Sequence, residues 1–109
     1  MTRAGETDEL IRLAILGKRL VRFTSHGCAR VAEPHDYGMR GGADQLLVYQ
    51  VGGHSRSGKL PDWRRIGVRD IVGLEVLDET FPGGRETPSG GHSQWDQLYL
   101  RVGPRGRSS

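Results

Sequence analysis

A single N-terminal helix followed by a small, strongly bent barrel of about five strands is the fold this sequence predicts. Three observations lead there. Only residues 7–16 carry apolar side chains at helical spacing. After residue 19 the apolar residues come in short alternating or β-branched runs. Glycine accounts for 17 of the 109 residues, about twice its usual share, and it gathers between those runs, where a bent sheet needs tight turns.

The helix reads from its two ends inward. Thr7 is placed to cap it, and Asp8 and Glu9 sit at its positive pole. Leu10, Ile11, Ala14 and Ile15 share one face. Gly17 closes the element, with Lys18 and Arg19 just beyond, at the negative pole. An apolar face this short is not stable alone, so the helix must pack on the strands.

Residues 20–24 combine β-branched and aromatic side chains and end at the His26-Gly27 turn. Residues 28–39 resume with Ala29, Val31 and Pro34 and stop at Arg40-Gly41-Gly42. Residues 45–51 form a nearly continuous apolar run, the pattern of a strand buried on both faces. A glycine-rich stretch, 52–58, leads to Pro61. Residues 63–68 and 71–77 then alternate, with Trp63, Ile66 and Val68 near the apolar positions of the first. Residues 82–94 hold no apolar side chain other than proline and read as a loop. Residues 95–102 offer an extra strand, with Leu98, Leu100 and Val102 on one side and Trp95 and Tyr99 on the other. The predicted organisation is a helix-plus-barrel unit over 1–81, a Gly/Pro/Ser-rich loop over 82–94, and the extra strand with a frayed tail over 95–109.

The length allows one domain and is too short for a barrel enzyme or a complete doubly wound nucleotide-binding fold. Cys28 is the sole cysteine, which excludes an intramolecular disulfide and a four-cysteine zinc site. No run of apolar residues is long enough for a signal or a membrane span, so a soluble, cytoplasmic protein without membrane contact is expected.

Charge is unevenly placed. Residues 18–69 hold ten Lys/Arg against four Asp/Glu, a net +6, while the remainder holds six against nine, a net −3. The central half is therefore a candidate surface for anions, nucleic acid included, with a solvated arginine-rich face as the alternative. Nearly all the cations are arginine, which suits phosphate and stacking contacts better than lysine does.

Motifs for catalysis are weak. Gly53-His54-Ser55-Arg56-Ser57-Gly58-Lys59 matches the first seven positions of a phosphate-cradling loop. Leu60 replaces the hydroxyl that would hold magnesium, and Pro61 interrupts the helix that should follow. His26, His35, His54 and His92 lack metal-site spacing. In Glu33-Pro34-His35-Asp36, extended geometry puts at most Glu33 and His35 on one side. Cys28 has His26 two residues before it, but a lone strand cysteine reads equally as a small buried residue. Ser55 and Ser57 have no nucleophile-elbow context. No enzyme, cofactor or metal is expected.

The stretch from the helix through Ile71 resembles the WYL domain. Ile11-Arg12-Leu13-Ala14-Ile15 is similar to its amphipathic helix of I-x-x-A-I type, and Arg30-Val31-Ala32-Glu33-Pro34 to its R-x-V-x-P signature. Leu46-Leu47-Val48-Tyr49 resembles the central L-V-G-Y strand. Arg64-Arg65-Ile66-Gly67-Val68-Arg69-Asp70-Ile71 resembles the closing R-x-F-x-L-x-R-I segment, and Asp78-Glu79-Thr80-Phe81 the phenylalanine that commonly follows. At the eponymous Trp-Tyr-Leu the chain has Asp44-Gln45-Leu46, and residues 52–62 lengthen the loop before the closing segment. The resemblance implies a Sm-like, SH3-type β-barrel acting as a ligand-sensing or regulatory module in transcription regulation. Here it would stand alone, without a winged-helix domain before it. Some members bind nucleotides or single-stranded nucleic acid through basic residues, which on this chain correspond to Arg30 and Arg64, with Arg56 and Arg69 as neighbours.

Two readings follow. In the first, Arg30 and Arg64 pair with the phosphates of a nucleotide or single-stranded nucleic acid, and Trp63 or Tyr37 offers a stacking face. The same arginines could instead be structural partners of Glu33 or Asp36. In the second, the chain is a protein-interaction or oligomerisation module, with the strand at 97–102 as its docking edge.

Overall fold

The computed structural model describes residues 3–54, 60–85 and 95–104; of Arg3 and Ala4 it describes the backbone alone. Helix α1 (Arg3–Gly17) leads into β1 (Arg19–Ser25), β2 (Cys28–Arg40), β3 (Ala43–Gly53) and β4 (Asp62–Gly67). A 3₁₀ turn (Val68–Asp70) precedes β5 (Val72–Thr80), and β6 (Gln97–Arg101) comes last. The helix starts four residues before the expected point, because nothing in Arg3-Ala4-Gly5-Glu6 stops it, so Thr7 is interior and not a cap. Its end also differs: Gly17 is the last helical residue, and Lys18 takes the left-handed conformation with φ 52°.

The sheet is antiparallel, in the order β4-β3-β2-β1-β5, with β6 paired to β2. Both central hairpins close through two residues of positive φ, His26-Gly27 and Gly41-Gly42, as the twist of paired strands favours. The expected closed barrel is replaced by an open sheet: among the described residues no pairing joins β4 to β5. The sheet is nonetheless curved. Laid flat, β4 and β5 would stand about 19 Å apart. The connection from Gly67 to Val72 contains a 3₁₀ turn, which rises only about 2 Å per residue, too little to cross that width.

A sixth strand exists because β2 outruns β1. Ala29 to Ala32 pair with β1, whereas Asp36 to Met39, on the same side of β2, pair with β6. An extra residue in β2, His35, shifts the register against β3 between those halves.

Two layers cover the central strands. On the inner face Ile11, Ala14 and Ile15 of α1 pack with Val21, Phe23, Ala32, Tyr37, Leu46, Val48 and Ile66. On the outer face the cross-strand rows Glu33–Tyr49–Trp63 and Arg101–Asp36–Leu47–Arg65 lie beneath the segments 81–85 and 95–96. This explains the run of seven buried residues in β2 and the apolar run in β3. It also changes the reading of the first part of the 82–94 segment. Gly84 bridges Pro104, and Arg85 reaches Glu33, so this stretch is tied to the sheet. Residues 86–94 lie outside the described residues. No described helix is long and apolar enough to cross a membrane.

Candidate anion-binding site

The β1–β2 hairpin sets the geometry of Arg30. It stands opposite Phe23 on β1 and Gly53 on β3, at the open end of the inner face. Its Nε donates to Ser25 Oγ at 2.8 Å and its Nη1 to Gln50 Oε1 at 2.9 Å. Both acceptors are buried and neutral. Gln50 is itself fixed, because its Nε2 donates to the carbonyls of Gly52 and His54.

Position 53 must be glycine for this to close. With φ 84°, a Cβ there would meet Ala29 O at 2.4 Å and Arg30 Cα at 2.8 Å. The guanidinium is thus half-buried, oriented by two uncharged partners, and in no ion pair with a described residue. A cation held this way keeps its full charge and three unspent N–H donors for an anion.

The other expected residues are spread out. Arg64, half-buried on β4, stands opposite Val48 and approaches Asp62 Oδ2 at 4.0 Å. In register it lies two strands across and four residues along from Arg30. Arg69 is exposed on the 3₁₀ turn. Arg56 and Lys59, with most of the phosphate-loop-like stretch, lie outside the described residues; the stretch begins beside Arg30, where His54 N donates to Ala29 O.

Trp63 is half-buried, edge-on to His35 at 4.7 Å and to Tyr49 at 5.1 Å. Tyr37 offers no stacking face: it is 3% exposed, and its hydroxyl donates to Asp8. That bond holds the Asp8 carboxyl below the usual range against the opposing effect of burial, while burial pushes the Tyr37 phenol up. Cys28 is buried.

The expected structural partners of Glu33 and Asp36 are also corrected. Glu33 is held by Arg85 through two bonds of 2.7 and 3.1 Å, with the Arg85 guanidinium 4.5 Å over the Tyr49 ring. The bond to Glu33 raises the pKa of Arg85 further. Asp36 receives both Arg101 and the indole N–H of Trp95, and Arg65 lies over the Trp95 ring. The ring packs on Gly38, where a Cβ would approach Trp95 Cε3 to 3.0 Å.

The bulge at His35 brings Glu33 and Asp36 onto one face, contrary to simple alternation. Each is committed to an arginine, and among the described residues no three His, Cys, Asp or Glu side chains converge to hold a metal. Arg85, Trp95 and Arg101 were not legible as partners. The available signal was two carboxylates in the middle of a strand, which demand cations from elsewhere.

Comparison with family models, with curated proteins and with solved structures returned no match.

Proposed function

We propose that the chain is a non-enzymatic, WYL-like ligand-sensing domain built on an open, curved sheet. Its ligand is a nucleotide or single-stranded nucleic acid, engaged through phosphate at Arg30. One observation carries this reading: Arg30 is fixed in place by neutral acceptors and makes no ion pair with a described residue. The Glu33 and Asp36 carboxylates nearby in sequence are occupied by Arg85 and Arg101 and do not quench it. The excess of cations over residues 18–69 and the loop carrying Arg56 and Lys59 support an anionic partner. On a longer ligand Arg64 and Arg69 serve as outlying phosphate contacts.

The test is fluorescence anisotropy with a labelled single-stranded oligonucleotide at low and moderate salt. Affinity is expected to fall with salt at a slope of about 0.7 per phosphate neutralised. Arg30→Gln weakens binding by about tenfold, and Arg64→Ala weakens it less. Thermal melts of both variants separate lost binding from lost folding. Salt-independent affinity, or an Arg30→Gln protein that binds as well as the parent, overturns the reading.

A second reading has its own observation. Among the described residues β4 and β5 each have one strand neighbour; β4 carries Asp62, Arg64 and Arg65, and β5 carries Glu79 together with Glu75 and Asp78, which pair with Arg22 and Arg19. Open strand edges favour self-association. The strand expected to dock, β6, pairs with β2 and, like β4 and β5, with no second strand among the described residues. Light scattering decides: an oligomer whose size ignores added oligonucleotide favours this reading.

A further inference from the structure

A cleft of ≈ 530 Å³ opens at the opposite end of β2 and β3 from Arg30. Its walls come from three elements: Thr7 of α1, Ala43 and Asp44 at the start of β3, and Val68, Arg69 and Ile71 around the 3₁₀ turn. The volume lies within the range of small-molecule sites.

Two opposite charges line this one cleft without pairing. Arg69 makes neither hydrogen bond nor ion pair with any described residue. Asp44 accepts the Tyr99 hydroxyl at 2.7 Å through Oδ1, which fixes the carboxylate and leaves Oδ2 unpartnered among the described residues. Tyr99 is in turn braced edge-on against buried Tyr37, with ring centroids 5.2 Å apart. The lining also includes the aliphatic side chains of Ala43, Val68 and Ile71.

We propose that this cleft binds a small aliphatic zwitterion of the amino-acid class. Its carboxylate meets Arg69, its ammonium meets Asp44 Oδ2, and its hydrocarbon body covers Val68 and Ile71. A ligand with one charge engages one end only, whereas a zwitterion gains a charge-assisted hydrogen bond at each. The cleft does not use Arg30 and stands whether or not that residue binds phosphate, although it shares Arg69 with the outlying contacts of a longer ligand.

The experiment is a backbone-amide NMR titration of the full chain with L-leucine, 4-aminobutanoate and 6-aminohexanoate, whose charges are set at increasing spacing. Butylamine and butyrate are the singly charged controls. Saturable shifts are expected at Ala43, Val68 and Ile71 for at least one zwitterion. Either control binds about tenfold more weakly, the weight of one charge-assisted hydrogen bond. Arg69→Gln and Asp44→Asn each cause the same loss, while Arg30→Gln leaves the shifts intact. No saturable shift at tens of millimolar, equal binding of the controls, or shifts gathered around Arg30 each overturn the proposal.

Discussion

The inner face of the central strands is buried under aliphatic and aromatic side chains contributed by α1 and β1. The outer face of the same strands is buried under aromatics and two arginine–carboxylate pairs, Glu33–Arg85 and Asp36–Arg101. Both exclude water, but they do so at different cost. An apolar contact forfeits nothing on desolvation, whereas each buried carboxylate must recover its hydration from bonds of good geometry. The outer layer meets that demand through the two N–H groups of each guanidinium and the Trp95 indole. Packing gives the inner face its strength, and directional bonding gives the outer face its specificity.

Substitutions in each layer can break that contrast. Phe23 is 1% exposed at the centre of the inner face, and Phe23→Ala is expected to cost about 3–5 kcal/mol in urea unfolding. A loss below about 2 kcal/mol would place the strength of the fold elsewhere. In the outer layer Asp36→Asn is expected to cost about 2–3 kcal/mol, less than a fully buried pair loses. The discount arises because the Asp36 side chain is 0% exposed but that of Arg101 is 42% exposed and retains water when the partner goes. A double-mutant cycle with Arg101→Gln checks that the loss belongs to the pair.

Tyr37→Phe tests the seam between core and surface and is the mildest change, about 1–2 kcal/mol. It also has a pH signature. The folded pKa of Asp8 lies below its unfolded value, so its contribution is complete above about pH 4 and is lost as pH falls through the folded value. Removing the hydroxyl removes the main cause of that depression. Urea midpoints between pH 5 and pH 2 should therefore fall less steeply in Tyr37→Phe than in the parent. Equal slopes would show that the Tyr37–Asp8 bond does not set the titration.

Legibility in the sequence follows the same division. Hydrophobic spacing located α1 and β1 to β5, and paired turn residues at 26–27 and 41–42 located both hairpins, because those signals are local. The apolar run of β3 correctly signalled burial on both faces, since Leu46 and Val48 point one way and Leu47 and Tyr49 the other. What covers the second face was not readable: Glu33 and Arg85 are 52 positions apart, Asp36 and Arg101 65. No periodicity connects such residues. The bulge at His35 was equally hidden, and it reverses which neighbours share a side. For the candidate site, the arginine at position 30 was legible, but its neutral partners Ser25 and Gln50 emerge only from strand register.

The change of neighbour halfway along β2 has a consequence for synthesis. The half that pairs with β1 finds its partner already made, because β1 leaves the ribosome first. The half from Asp36 to Met39 waits for Gln97–Arg101. Met39 pairs with Gln97, so the delay is roughly 60 residues, on the order of 3–12 s at ordinary translation rates. For that interval the nascent chain presents an unpaired strand edge bearing Asp36, with its hydrogen-bond donors Arg101 and Trp95 not yet translated. The last of the described strands to be made is the one that seals the middle of the sheet.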